Sequence, residues 1–374
     1  MIPVNQPILD GNEAKYLTEC IESGWISSEG PFVHRLEQGM ATLGGQRHGI
    51  AVANGSAALE IAVAALGIGP GEEVILPTFT IISCAAAVIR AGGTPVVVDC
   101  EPTTWNMDPN QIESKITPRT KAIMVVHIYG LPVDMDPVMD IARRHSLKII
   151  EDGAEQIGQV YHTNPHAPRM VGSFGDIATF SFYPNKHITT GEGGMVLTSD
   201  DLLAERCRDL RNLCFGKKRR FVHQQLGWNF RMSNLQAAIG VAQMERLPQT
   251  LAKKRQIGAW YNVMLADVDD LERLPARTAY AENIYWVYGV VLKDSVPSDA
   301  EDAMRGMQER GVGTRPFFWP MHEQPVLRKM GFFDGVSCPV AERIARRGFY
   351  IPSGVALTRD QAEEVTEALR QILA

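Results

Sequence analysis

Between residues 50 and 200 the chain repeats one pattern, and that pattern leaves few folds open. Short apolar runs rich in β-branched residues alternate with longer segments of helical spacing. The runs are GIAVAN, EVILP, TPVVVD, KAIMVVHIYG, LKIIED, IATFSF and GMVLTS; the segments between the earlier ones include SAALEIAVAALG, IISCAAAVIRAG and DMDPVMDIARRHS. A strand that is apolar on both faces must be covered on both, and interleaved helices supply that cover, so the pattern predicts an α/β unit around a mostly parallel sheet. In such sheets ligands gather beyond the carboxyl ends of the strands. The polar residues at those ends are Asn54, Asp152 and the neighbourhood of Lys186.

After residue 233 the character changes. A helical pattern runs from Asn234 to Leu265, with Pro248 as an expected interruption. NIYWVYGVVL, DAMRGMQERGVGTRPFF and RDQAEEVTEALRQILA then read as a strand, a helix with its following loop, and a terminal helix. The chain therefore divides, on this reading, into a large unit over residues 1–246 and a smaller α+β unit over 247–374.

The 37 Lys and Arg against 43 Asp and Glu give a net charge of −6, which argues against whole-surface attraction to nucleic acid. Any polyanionic ligand must be met locally. The six cysteines show no C-x-x-C spacing, which fits reduced thiols rather than a disulfide frame or a metal site. The amino-terminal residues have no basic-then-apolar signal pattern, and no run is apolar for long enough to span a bilayer. A cytoplasmic location is expected, with no metal and no membrane partner.

In SFYPNKHITTGEGG, Lys186 follows the strand-like IATFSF and precedes a glycine cluster. An amine held there loses hydration, and desolvation favours its neutral, nucleophilic form. Lys186 is thus a candidate Schiff-base lysine. NGSAALEIAVAALG opens a helix at a strand end, so the amides of Gly55, Ser56 and Ala57 can face an anion, although Ser56 reads equally well as a helix cap. EDGAEQIG places Asp152 at a strand terminus with Glu155 three residues on, either a turn with a cap or two functional carboxylates. Ser181 reads as an anion-binding hydroxyl or an ordinary strand serine. An anion site, a carboxylate for a ring nitrogen and an amine for an aldehyde together match what pyridoxal 5′-phosphate requires.

WISSEG, NGSAAL, GEEVILPTFT, GGTPVVVD, IIEDGAE, FSFYPNK followed by TTGEGG, and GWNFRMSNLQAAIG resemble the marks of the DegT/DnrJ/EryC1/StrS sugar aminotransferases over essentially the whole chain. The resemblance implies an aspartate-aminotransferase-type fold and a homodimer with active sites shared across the subunit boundary. It implies that Lys186 holds the cofactor, Asp152 its ring nitrogen, and that Glu155 lies near its hydroxyl. Gly55, Ser56, Ala57 and Ser181 would hold the phosphate, with Asn229 reaching across from the partner. Where members commonly stack an aromatic residue on the ring, this chain has Ile81; strand alternation aims the adjacent Phe79 elsewhere.

A branch of the same family removes a hydroxyl and carries histidine in place of the lysine. Lys186 followed by His187 favours amination, with His187 as a packing or supporting residue. A non-catalytic cofactor-binding regulator is the alternative from another class, and the absence of G-x-G-x-x-G after the early strands argues against a nicotinamide dehydrogenase. WISSEGPFV, ITPRTKAIM, YGLPVDMDP and TRPFFWPMH bring the chain nearest to members that aminate C4 of a GDP-linked 4-keto-6-deoxymannose with glutamate as donor. UDP- or dTDP-linked sugars and C3 amination stay open. The expected substrate contacts are Trp25, His187, Arg219 within the run KKRR, Arg315, Phe317 and His322, with core packing as the competing reading for the aromatic residues after Arg315.

Overall fold

A computed structural model of the chain describes residues 1–162, 168–215, 219 and 221–373. Lys217, Lys218 and Arg220 of the basic run lie outside the described residues.

Seven strands form the central sheet: β1 (His48–Val52), β2 (Glu73–Pro77), β3 (Thr94–Val98), β4 (Thr120–Val126), β5 (Lys148–Asp152) and, after the short hairpin β6 (Val160–Tyr161) and β7 (Arg169–Met170), β8 (Ile177–Ser181) and β9 (Gly194–Thr198). Their order is β1-β9-β8-β5-β4-β2-β3, and β9 alone runs against the other six. Each of the seven apolar runs read from the sequence is one of these strands.

Alternate side chains along each strand serve opposite faces. Ile50 and Val52 pack with α3 (Gly55–Ala65) and α4 (Ser83–Arg90), whereas Ala51 packs with α2 (Pro31–Leu43) and α7 (Asn234–Glu245). Likewise Ile123 and Val125 join the layer of α5 (Met135–His145), and Ala122, Met124 and Val126 the layer of α3. Both faces are therefore apolar and covered, as continuous β-branched runs require. The remaining helices of this part are α1 (Glu13–Ser23), which packs on α7 and was not foreseen, and α6 (Asp201–Arg211).

The expected break near Pro248 falls at Arg246, between α7 and α8 (Leu247–Met264). Pro248 stands in the first turn of α8, where its missing N–H has no helical acceptor to lose. Ser233 and Gln236 form a capping box that fixes the start of α7.

Beyond α8, the strands β10 (Leu271–Arg273), β11 (Tyr288–Leu292), β12 (Arg315–Pro316) and β13 (Gly348–Ile351) form an antiparallel sheet in the order β10-β11-β13-β12. Its core packs α8, α9 (Ala300–Glu309) and α12 (Arg359–Leu373) through Tyr261, Met307 and Leu369; the short α10 (Pro325–Lys329) and α11 (Pro339–Arg347) lie between β12 and β13 in sequence. The first residues cross to this part, because Ile2 N–H donates to Gly311 O at 2.7 Å and Ser353 N–H to Val4 O at 3.1 Å. Among the described residues no helix is long and apolar enough to cross a membrane.

Candidate active site

The carboxyl ends of β1, β2, β5 and β8 open into one cavity of about 570 Å³, closed from the second sheet by Trp286, Phe318 and Tyr350. One wall is the start of α3. Asn54 caps that helix, its Oδ1 accepting the N–H of Ala57 at 2.8 Å, so the Ala57 amide expected to face an anion is already engaged. Gly55 and Ser56 are the first helical residues, and amides there have no acceptor within the helix. The capping role open to Ser56 belongs to Asn54 instead; Ser56 Oγ lies 2.8 Å from Ser83 Oγ. Ser181 stands directly against Gly55, where a Cβ would come within 2.8 Å of the serine Cβ. The result is a small concave site with a helix amino terminus, three serine hydroxyls and room only for glycine.

Asp152 ends β5 only 3 % exposed, and its carboxylate receives the Ala154 N–H at 3.0 Å and the Cys84 thiol at 3.6 Å. Burial pushes its pKa up, against the pull of the Ala154 amide and the Lys186 charge. Glu155 is buried beside it; its Oε2 accepts the Tyr129 N–H at 2.8 Å and its Oε1 lies 3.5 Å from Lys186 Nζ. Burial lifts Glu155 to about 7, the Lys186 charge pulling the other way. The same burial pulls Lys186 down, with Glu155 and Asp152 opposing. Its Nζ rests 3.6 Å from the centroid of the Trp286 indole, whose Nε1–H donates to Asn185 O at 2.8 Å. Thr179 also lines the cavity, with a buried hydroxyl that has no hydrogen-bond partner among the described residues.

Ile81 is on the cavity wall and half-exposed, while Phe79 is fully buried against Tyr129, Phe317 and Phe318. Phe79 does point away from the wall, but alternation is not the cause: the two residues are two apart and lie beyond the end of β2 at Pro77, and aromatic packing draws Phe79 inward. Three of the expected substrate contacts are buried outside the cavity lining. Phe317 is a core residue, its ring packed on Tyr129 and Trp105 at 4.8 and 5.2 Å. His322 is buried between Thr78 Oγ1, 2.7 Å from Nδ1, and Glu342 Oε1, 2.9 Å from Nε2, a bridge that leaves no ring nitrogen for a ligand. His187 is 2 % exposed, with Nε2 3.4 Å from Ile284 O, and packs behind the lysine. Core packing thus prevails for Phe317 and His322, as apolar surface after Arg315 is drawn under the second sheet.

Arg315 is exposed and lines a smaller cavity of about 270 Å³ that shares Tyr183, Asn185, Trp286 and Tyr350 with the main one. Trp25 and Arg219 are exposed and outside the cavity lining. So is Asn229, whose Oδ1 accepts the Arg231 guanidinium at 2.7 Å. Sequence reading missed Trp286 and Tyr350, which line the cavity of the lysine from elements 100 or more residues away; nothing local to NIYWVYG marks that approach, whereas Phe318 is one of the aromatic residues after Arg315 expected to line a pocket. His127 was also missed. Its Nδ1 accepts the Val133 N–H at 3.0 Å, which puts the ring proton on Nε2, toward Glu151 Oε1 at 3.2 Å.

Comparison with known proteins finds relatives along the whole chain. The chain is 42% identical over 372 residues to the GDP-perosamine synthase of Caulobacter vibrioides, covering 100% of this chain and 98% of that protein. It is 37% identical over 370 residues to the GDP-perosamine synthase of Escherichia coli O157:H7, covering 99% and 98%. The crystal structure of the aminotransferase TlmJ from Streptoalloteichus hindustanus superposes with a TM-score of 0.90 at 30% identity, covering 99% of this chain and 98% of that one. The model of the DegT/DnrJ/EryC1/StrS aminotransferase family matches residues 7–370, and the chain belongs to that family.

Proposed function

We propose that this protein moves an amino group from glutamate to C4 of GDP-linked 4-keto-6-deoxymannose, giving GDP-perosamine. The observation that carries amination is the buried Lys186 amine, 3.5 Å from Glu155 and in the same cavity as Asp152. The likeness to the two relatives named GDP-perosamine synthase supports the choice of sugar and nucleotide.

The family is dependent on pyridoxal 5′-phosphate, and the residues present fit it. Asp152 is a buried carboxylate in hydrogen-bond contact with an amide and a thiol, and a protonated ring nitrogen answers its charge. Gly55 and Ser56, with Ser181, form the cradle for the phosphate. Bound there, the cofactor supplies an aldehyde and an electron-poor ring that can store an electron pair. Ile81 would pack on that ring by dispersion, and Glu155 would accept from its hydroxyl. Lys186 Nζ, favoured in its neutral form by burial, would hold the cofactor through its aldehyde. The same amine would be the base that takes the proton from the α-carbon of glutamate and the acid that gives a proton at C4 of the sugar. Trp286, Phe318 and Tyr350 keep water from the amine while this happens.

The active unit on this reading is a homodimer, with Asn229 completing the phosphate site of the partner. Arg315 meets an anionic group, the donor carboxylate or the diphosphate, and Trp25 and Arg219 border the entrance used by the nucleotide. The chain divides into units 1–246 and 247–374, and it works in the cytoplasm. The direct test is a single half-reaction: protein loaded with cofactor and mixed with glutamate alone releases one 2-oxoglutarate per site. No 2-oxoglutarate would refute the aminotransferase reading.

A further inference from the structure

A second cavity, of about 560 Å³, shares Asn185 and Lys186 with the active site but none of its carboxylates. Its lining includes Arg246, Lys253, Lys254 and Arg359 and, among the described residues, not one aspartate or glutamate. Two of these cations are matched elsewhere, Arg246 by Asp10 and Arg359 by Glu363. The two lysines are not. Lys253 rests 4.4 Å from the centroid of the Trp260 ring. Lys254 is buried, and its ammonium donates to the carbonyls of Trp286 and Ser353, each at 2.7 Å. An ammonium has three N–H bonds, so one remains, and among the described residues no carboxylate pairs with the charge. Burial pulls Lys254 down to about 7, a pull that a bound anion would oppose.

One further feature points the same way. Thr358 and Gln361 form a reciprocal cap at the start of α12, so the amino-terminal end of a 15-residue helix borders the space and adds to its positive potential. Lysine charge, helix terminus and absence of acids converge on one volume.

We infer that this cavity is a second anion site, built for a small molecule bearing phosphate groups and separate from the nucleotide-sugar site. It abuts the turn that carries Lys186, so a bound anion adjoins the segment that positions the amine. The inference does not rest on which sugar is aminated.

Inorganic pyrophosphate is the probe, titrated calorimetrically into protein saturated with pyridoxal phosphate so that the cofactor's own phosphate site is filled. One site per chain is expected. Lys253→Ala combined with Arg359→Ala should weaken binding about tenfold or more, as loss of two charges predicts, while glutamate turnover without pyrophosphate stays within about twofold of the parent. Arg315→Ala should leave pyrophosphate affinity unchanged, and saturating GDP should not displace it. Absence of binding, equal affinity in the Lys253/Arg359 variant, or displacement by GDP would overturn the inference, the last by placing the anion in the substrate's site.

Discussion

Lys186 Nζ and Glu155 Oε1 lie 3.5 Å apart in a place nearly closed to water, and burial drives both toward their neutral forms. Each holds the other's charge. Replacing Glu155 by Gln removes the anion that favours the lysine cation, so Lys186 should lose its proton at a lower pH. The acid limb of the rate profile moves down in pH, and the rate at the optimum falls by about tenfold or more, because the carboxylate that would accept from the cofactor hydroxyl is gone. Initial rates from pH 5 to 9 measure both; an unmoved limb contradicts the pairing.

Gly55 is the only residue type that fits beside Ser181 at the start of α3. Gly55→Ala should push the helix amino terminus away from the serine hydroxyls and weaken pyridoxal phosphate binding by about tenfold or more. Binding of pyridoxal, which lacks the phosphate, should change little. Absorbance titration of the cofactor-free protein with both compounds gives the comparison, and an equal loss for both would place the damage elsewhere.

Much of this site was legible before any coordinates because the features that build it are local. A strand end followed by glycine and serine, or by aspartate, places those residues at the sheet edge wherever the sheet goes, and Gly55, Asp152, Ser181 and Lys186 all follow that rule. Ile81 and Phe79 were not separable by alternation, which puts residues two apart on one face; both follow the end of β2, and the packing of Phe79 on Tyr129, Phe317 and Phe318 sets them apart. What the sequence did not carry is what depends on distant packing. Trp286 reaches Lys186 only because the second sheet docks over the first, and Phe317 turns inward for the same reason. The engagement of the Ala57 amide by Asn54 is a matter of one side-chain rotamer, which no pattern records. His322 was placed in a substrate loop by its neighbours, whereas Thr78 and Glu342, 244 and 20 residues away, determine where it sits.

Asn229 is exposed on one chain, as a residue acting on its partner must be. Asn229→Ala and Lys186→Ala proteins should each be inactive or nearly so. Mixed and allowed to exchange subunits, they should recover activity, since one site of each heterodimer then has both residues intact. Heterodimers shown to form without recovery would rule out a shared site.

His187 gives the fold an acid limit. Burial, with the nearby Lys254 charge adding to it, pulls its pKa down to about 3. Above its ordinary value of 6.5 neither the folded nor the unfolded chain binds the proton. As pH falls from there toward 3, only the unfolded chain takes it up, so stability present above 6.5 is lost on acidification. By about pH 5 the loss from this one group is roughly 2 kcal/mol. Urea unfolding at pH 7 and pH 5 should show His187→Gln losing less stability than the parent over that interval; equal losses would remove His187 as the cause.

The central claim is tested most directly by the product. Cofactor-loaded protein, glutamate and GDP-4-keto-6-deoxymannose should yield a GDP-sugar carrying nitrogen at C4 in place of the keto oxygen, identified by mass spectrometry and by NMR of the sugar ring, with UDP- and dTDP-linked 4-keto sugars converted far more slowly. Conversion of only the UDP- or dTDP-linked sugars would contradict the GDP assignment, and nitrogen at C3 would contradict the position.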